Sequence, residues 1–168
     1  MSAAPFRVRT LDNSIDRKSF TSGTLALDQY FQQQVTQDIR RRVTACFVAL
    51  TDEERVAGYY TLATASLLLG DLPTDLANKL PRYPSLPTVR MGRLAVDQDF
   101  KAQGLGGALL ADALARCIHS EIMAYAMVVD AKDEIATSCY LHHGFFSLPD
   151  APQTLFLPLA TAKKILSA

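Results

Sequence analysis

Three glycines within four positions, Gly104, Gly106 and Gly107, stand at the start of an apolar periodic run that reads as a helix. A helix start carries unpaired backbone N–H groups and the positive end of the helix dipole. Glycines let a phosphate approach those donors with no Cβ in the way, so the chemistry such a cluster suits is anion binding. A bare Gly-x-Gly-Gly also serves as an ordinary tight turn, and the surrounding residues decide between the two. No Gly-Lys-Ser/Thr follows, which disfavours a nucleoside triphosphate loop. No third glycine follows Gly104-Leu105-Gly106 at the dinucleotide step.

A second reactive group lies further on, where Cys139 precedes His142 and His143 by three and four residues, a spacing that shares one helix face. A thiol and imidazole so placed could form a nucleophile and base. No oxyanion donor or third member accompanies them, however, and adjacent histidines near a helix end more often serve the helix dipole or the surface. His119 reads in the same way as a solvated residue near a helix C-terminus. The three cysteines, Cys46, Cys117 and Cys139, are far apart without a C-x-x-C pair, so reduced thiols are expected and neither a disulfide framework nor a metal site is indicated.

The elements that must hold these groups follow from periodicity. Phe6-Arg7-Val8-Arg9 alternates as a strand. A helical pattern over 25–42 places Leu27, Tyr30, Phe31 and Val35 on one stripe, with a Gln-rich opposite face. Two β-rich runs, 45–50 and 56–62, flank the charged turn Asp52-Glu53-Glu54-Arg55 and read as a hairpin. Pro73, Pro81, Pro84 and Pro87 then punctuate a segment expected to be a substrate-side loop with one short helix near 75–79. A strand over 91–96 leads into the glycine cluster, whose helix is expected to turn Leu105, Ala108, Leu109, Ala115 and Ile118 inward. A strand over 124–129, a helix over 134–142, the break Gly144 and a strand pair near 145–148 and 154–159 complete the chain. The pattern predicts an α/β fold of mixed α+β character: one domain over 1–168, with a twisted mixed sheet of six to seven strands flanked by helices.

Composition narrows the function. With 168 residues, nearly half of them apolar, the chain can bury one sizeable core. Acidic and basic residues balance at 17 each, so nucleic-acid binding finds no support in net charge and would need a local basic patch. No apolar run reaches membrane-spanning length, and Met1-Ser2-Ala3-Ala4-Pro5 lacks signal-peptide character; a soluble cytoplasmic protein is expected.

The stretch Gln103-Gly104-Leu105-Gly106-Gly107-Ala108 resembles the cofactor signature Gln/Arg-x-x-Gly-x-Gly/Ala of the GNAT N-acetyltransferase superfamily, with Gln103, Gly106 and Ala108 at its fixed positions. The resemblance extends from about Asp16 to about Leu159. It implies acetyl-coenzyme A as cosubstrate and no metal. It also implies a splay between the strand holding Leu94, Ala95 and Val96 and its parallel neighbour, together with a contribution from Ser138 to the cofactor site. Ala136-Thr137-Ser138-Cys139-Tyr140 followed by Gly144-Phe145 looks like the superfamily's late segment, in which the tyrosine points at the cofactor sulfur. Cys139 stands where an aromatic residue is more usual.

That assignment suits the chemistry. Amine attack on a thioester forms an oxyanion and then expels a thiolate, which leaves more readily when protonated. A phenol, with an ordinary pKa of about 10, stays protonated at neutral pH and lies near a thiol in acidity. Tyr140 is therefore the expected acid. No carboxylate neighbours it in sequence as a base for the amine, which fits an α-amino acceptor of reference pKa about 7.7 to 8.0 better than a lysine.

Four further blocks, Phe20-Thr21-Ser22-Gly23, Leu27-Asp28-Gln29-Tyr30, Gln37-Asp38-Ile39-Arg40-Arg41-Arg42 and Met91-Gly92-Arg93-Leu94-Ala95-Val96, resemble the toxin branch of type II toxin–antitoxin modules. The resemblance implies acetylation of the α-amino group of aminoacyl-tRNA, a block on translation, a ribbon-helix-helix antitoxin and a homodimer. Lys79, Arg82, Arg90 and Arg93 are the expected phosphate contacts, ahead of Arg40, Arg41 and Arg42, whose position at a helix end has its own electrostatic reason. Two alternatives stay open: an acetyltransferase for a small amine, antibiotic or protein N-terminus, and a non-catalytic module that binds coenzyme A or a protein.

Overall fold

The computed structural model describes residues 6–167; the five N-terminal residues read above for signal-peptide character lie outside them. Among the described residues seven strands form a mixed sheet of order β1-β2-β3-β4-β5-β7-β6. They are β1 (Arg7–Thr10), β2 (Ala45–Leu50), β3 (Val56–Leu68), β4 (Ser85–Val96), β5 (Ala126–Asp130), β6 (Phe146–Leu148) and β7 (Ala151–Pro158). Helices accompany them: α1 (Leu25–Gln29), α2 (Val35–Arg40), α3 (Thr74–Ala77), α4 (Leu105–Ile118), α5 (Glu134–His142) and α6 (Leu159–Ser167). The expected mixed sheet flanked by helices is what the chain forms. β4 and β5 make the parallel pair, with Thr88–Met91 set against Ala126–Val129, and β4 continues beyond that ladder to Val96.

Two compact units divide the chain, one of residues up to Ala63 with Gly92–Ala113, the other of Thr64–Met91 with Leu114 onward. The first packs the apolar stripe of residues 25–40 into an aromatic core. Phe31 stacks on Tyr59 with centroids 4.4 Å apart, and Phe20 meets both rings edge-on. The helix expected over 25–42 is interrupted by a π-helical turn, Tyr30–Gln34, between α1 and α2. Such a wide turn releases carbonyls from the usual ladder. Arg17 supplies a substitute donor, its Nη1 bonding the Phe31 carbonyl at 2.7 Å. Tyr30, Phe31 and Val35 all stay buried across the irregularity.

Gly58 in β3 is fixed by contact rather than by backbone angle. A Cβ there would lie 2.9 Å from the Ala95 carbonyl oxygen and 2.9 Å from Leu109 Cδ1. Gly58→Ala is expected to destabilise the protein by about 1 to 3 kcal/mol, the range for overpacking against backbone, read as a lowered urea midpoint. An unchanged midpoint would mean that α4 can back away from the sheet.

The second unit buries Leu67, Leu72, Leu86, Ala126, Val128, Leu148 and Phe156 together. Here the structure corrects the sequence reading. β4 begins at Ser85, six residues before the expected strand, and runs through Pro87. Proline lacks only the donor, and the Pro87 carbonyl still accepts the Tyr125 N–H at 2.8 Å. β3 likewise extends to Leu68, leaving a shorter loop than the prolines suggested. α6, absent from the sequence reading, follows β7 directly and buries Leu159 and Ala162. In α4 the inward face is Leu105, Leu109, Leu110, Ala113 and Leu114, whereas Ala108 is exposed and Ala115 and Ile118 are half-buried.

Candidate active site

Within the first unit, β4 delivers Leu94, Ala95 and Val96 to a short linker that opens α4. Ala102 and Gly104 both take the left-handed conformation, at φ of 63° and 78°, and between them reverse the chain. The Ala108 N–H bonds the Gly104 carbonyl at 3.1 Å, which makes Gly104 the cap. The amides of Leu105, Gly106 and Gly107 thus belong to the turn that precedes the helix's own bonding. Gln103, Gly104 and Ala108 are exposed around it, while Leu105 anchors the turn in the core.

Gly106 is a position in this turn with open space around it. A Cβ on it would meet nothing nearer than Val96 Cγ2, at 4.0 Å. Its φ lies outside the left-handed range, so neither packing nor backbone conformation inside the protein requires glycine here. A group approaching from outside would. The cradle a Cβ would fill, at the start of a 14-residue helix, fits the diphosphate of coenzyme A.

Arg93, also in this unit, lies with its guanidinium carbon 3.4 Å from the centroid of the Tyr30 ring. The Tyr30 hydroxyl donates to Asp38 at 2.7 Å. Burial, with that bond second, raises the Tyr30 phenol above its ordinary value, so Tyr30 remains a neutral platform for a planar cation. Asp38 is correspondingly lowered, first by the Tyr30 bond. The sequence reading named Arg93 but missed Tyr30 as its support; the strand-to-helix contact between them has no local signature.

In the second unit α5 carries Ser138 and Tyr140. Asp133 caps it, accepting the Ala136 N–H at 2.8 Å. Ser138, with Glu134 and Thr137, faces an open groove of about 710 Å³ whose other wall is Ala151, Pro152, Gln153 and Thr154. Tyr140, two residues on, is half-buried and packs its ring against Phe145, centroids 5.4 Å apart. Burial, with Cys139 adding to it, pushes the Tyr140 phenol up to about 12. It is therefore a proton donor throughout the physiological range.

The basic residues separate in their surroundings. Lys79 and Arg82 are exposed beyond α3. Arg90 pairs with Asp130, which also accepts the Thr154 hydroxyl at 2.9 Å. The rival thiol scheme gains nothing: Cys139 is exposed on α5, and His142 and His143 face each other edge-on at 5.6 Å. His119 bonds the Ala115 carbonyl one turn back at 2.7 Å, as a helix-end residue does. Among the described residues no group of three His, Cys, Asp or Glu side chains is placed to hold a metal.

A mixed sheet with one parallel pair, and after β4 a helix opened by glycines, suits a protein that binds an anionic ligand at a helix start. The chain belongs to the Acetyltransferase (GNAT) family, whose sequence pattern matches residues 10–145. It is 32% identical over 166 residues to the "tRNA-acetylating toxin" of Mycobacterium tuberculosis, covering 98% of this chain and 96% of that protein. Among solved structures it is similar to AtaT complexed with acetyl-methionyl-tRNAfMet, with a TM-score of 0.88 and 25% identity, covering 96% of this chain and 99% of that one. It is also similar to AtaTR bound with AcCoA, with a TM-score of 0.82 and 26% identity over 96% and 98% of the two chains.

Proposed function

We propose that the chain is an acetyl-coenzyme A-dependent N-acetyltransferase that acetylates the α-amino group of aminoacyl-tRNA, and that it acts as a toxin by blocking translation. The observation that carries this reading is the end-to-end likeness to a tRNA-acetylating toxin, joined to a cradle whose Gly106 has no internal reason to be glycine. Acetyl-coenzyme A supplies the acetyl thioester. The amides of 105–107 hold its diphosphate between Gln103 and Ala108, with Gly104 as the cap, residues 94–96 offer β4 backbone to its arm, and Ser138 contributes from α5. Tyr140 protonates the departing thiolate, and its raised pKa keeps that proton available.

The acceptor is held by charge. Arg93, spread on Tyr30, presents a pre-oriented guanidinium to phosphate, and Lys79 and Arg82 add exposed cations. Arg90 contributes with Asp130 as its counter-ion. The chain works as one catalytic domain in the cytoplasm, a reading supported by a family pattern that runs through both compact units. A second copy of the chain widens the basic surface, and a small ribbon-helix-helix antitoxin neutralises the toxin.

Incubation with charged total tRNA and labelled acetyl-coenzyme A tests the reading. Label is expected in the tRNA fraction, and mild base should release it as N-acetyl amino acid. Label found only in free amines or peptides would replace the acceptor with a small molecule or protein N-terminus. Salt provides a second measurement. With about three cations on phosphate, the KM for tRNA should rise about 20- to 40-fold over a fourfold increase in salt. A flat salt response would remove the phosphate contacts.

A further inference from the structure

Asp97, the residue between β4 and the cradle, is a carboxylate buried completely in the first unit. One of its oxygens, Oδ2, accepts the Thr21 N–H at 3.0 Å. The other, Oδ1, accepts the Asp99 N–H at 3.0 Å and Nη2 of Arg55 at 3.2 Å. Its main chain is tied as well: the Asp97 N–H bonds the Ala57 carbonyl at 2.8 Å, and the Phe100 N–H bonds the Asp97 carbonyl at 2.9 Å.

The residues that follow are fastened to the loop that holds Thr21 and to Arg55. The Gln98 N–H bonds the Thr21 carbonyl at 2.8 Å, and Lys101 Nζ bonds the Ser22 carbonyl at 2.6 Å. Arg55 reaches Asp99 at 2.5 Å and covers the Phe100 ring at 5.0 Å. On the far side, Asp28 holds the Ser22 N–H and hydroxyl at 2.9 and 2.7 Å. Every position from 97 to 101 is therefore restrained immediately before the left-handed turn at Ala102 and Gly104.

A buried carboxylate is expensive to desolvate, and a well-packed apolar substitute often serves stability as well. What Asp97 supplies that an apolar residue cannot is a fixed direction for the chain entering the cradle. Amide donors bind an anion well only when held within a few tenths of an ångström of their working positions. We infer that Asp97 is a positioning residue for donor binding, joining the 20–24 loop and Arg55 to the linker so that the amides of 105–107 converge on one point. The inference rests on the cradle reading above.

The two-oxygen arrangement makes the test specific. In Asp97→Asn one oxygen becomes an NH2 group, which faces either the Thr21 N–H or the Asp99 N–H and Arg55, donor against donor. The shape is kept while one arm of the junction is lost. The dissociation constant of coenzyme A by calorimetry and the KM for acetyl-coenzyme A are expected to rise together by about 5- to 20-fold, a part of what one charge-assisted bond is worth because the effect reaches the ligand through the linker, with kcat little changed. Simple loss of folded protein would lower kcat and leave KM alone, and that outcome overturns the inference.

Arg55→Gln, which removes only the half-exposed arm, should shift the same constants by about two- to fivefold. Its result decides the matter if Asp97→Asn does not fold, and an unchanged constant there overturns the inference. Gly106→Leu separates the two levels of argument. Loss of coenzyme A binding in Gly106→Leu with normal binding in Asp97→Asn discards the positioning role and keeps the cradle. Normal binding in Gly106→Leu discards the cradle, and the positioning role with it.

Discussion

Tyr140→Phe is expected to lower kcat by about 10²- to 10³-fold while the KM for acetyl-coenzyme A stays within about twofold of the parent value. The substitution removes one oxygen and leaves the ring, so the packing against Phe145 is retained and the fold has no reason to change. On the proposed mechanism, what would be lost is the proton for the departing thiolate. Because burial raises the phenol to about 12, Tyr140 remains protonated well above neutral pH. The parent enzyme's rate should therefore rise as the acceptor amine loses its proton near its reference pKa of about 8, with no fall from Tyr140 ionisation until about pH 11 or beyond. A rate that declines through pH 9 with an otherwise stable protein would show that a different acid operates. Near-normal turnover in Tyr140→Phe beside an inactive Cys139→Ser would move catalysis to the thiol.

Gly106→Leu is expected to abolish coenzyme A binding, with a loss of at least about 100-fold in affinity, and to raise rather than lower thermal stability. Leucine favours a helix over glycine by about 0.5 to 1 kcal/mol, and a Cβ at this position meets nothing nearer than Val96 Cγ2 at 4.0 Å. The same space is where a diphosphate would rest against the amides of α4. A ligand held by several main-chain donors cannot be re-formed around a side chain lying across them, which is why the effect exceeds that of any single contact. Paired measurements of melting temperature and of coenzyme A titration check both halves. A destabilised protein would show that Gly106 is structural, and a stable one that still binds would place the donor elsewhere.

Much of this site is local in origin and could be read before any coordinates. The amide-rich helix start needs only the glycines and the apolar period that follows, and the structure puts α4 at Leu105 as that pattern requires. α5 over 134–142 and β2 over 45–50 likewise occupy the residues their periodicity marks, because capping and alternation act between neighbours in the chain. The π-helical turn at 30–34 was not legible, since it depends on Arg17 reaching the Phe31 carbonyl from outside the helix. Nor was the passage of β4 through Pro87, which is tolerated only because the bond its neighbour needs is one that a proline carbonyl can accept.

The sequence by itself determined the chemistry on offer: a phosphate-sized opening at a helix start, a phenol on a later helix, and basic residues without a net charge to announce them. Tertiary structure decided how those groups are committed. It set Arg93 on Tyr30, paired Arg90 with Asp130, raised the Tyr140 phenol by burying it, and joined Asp97 to Thr21 and Arg55. The physical reason is distance along the chain. Hydrogen-bond capacity and helical period belong to each short segment, whereas burial, ion pairing and the direction of a charged side chain depend on partners that only strand register and helix packing bring within reach.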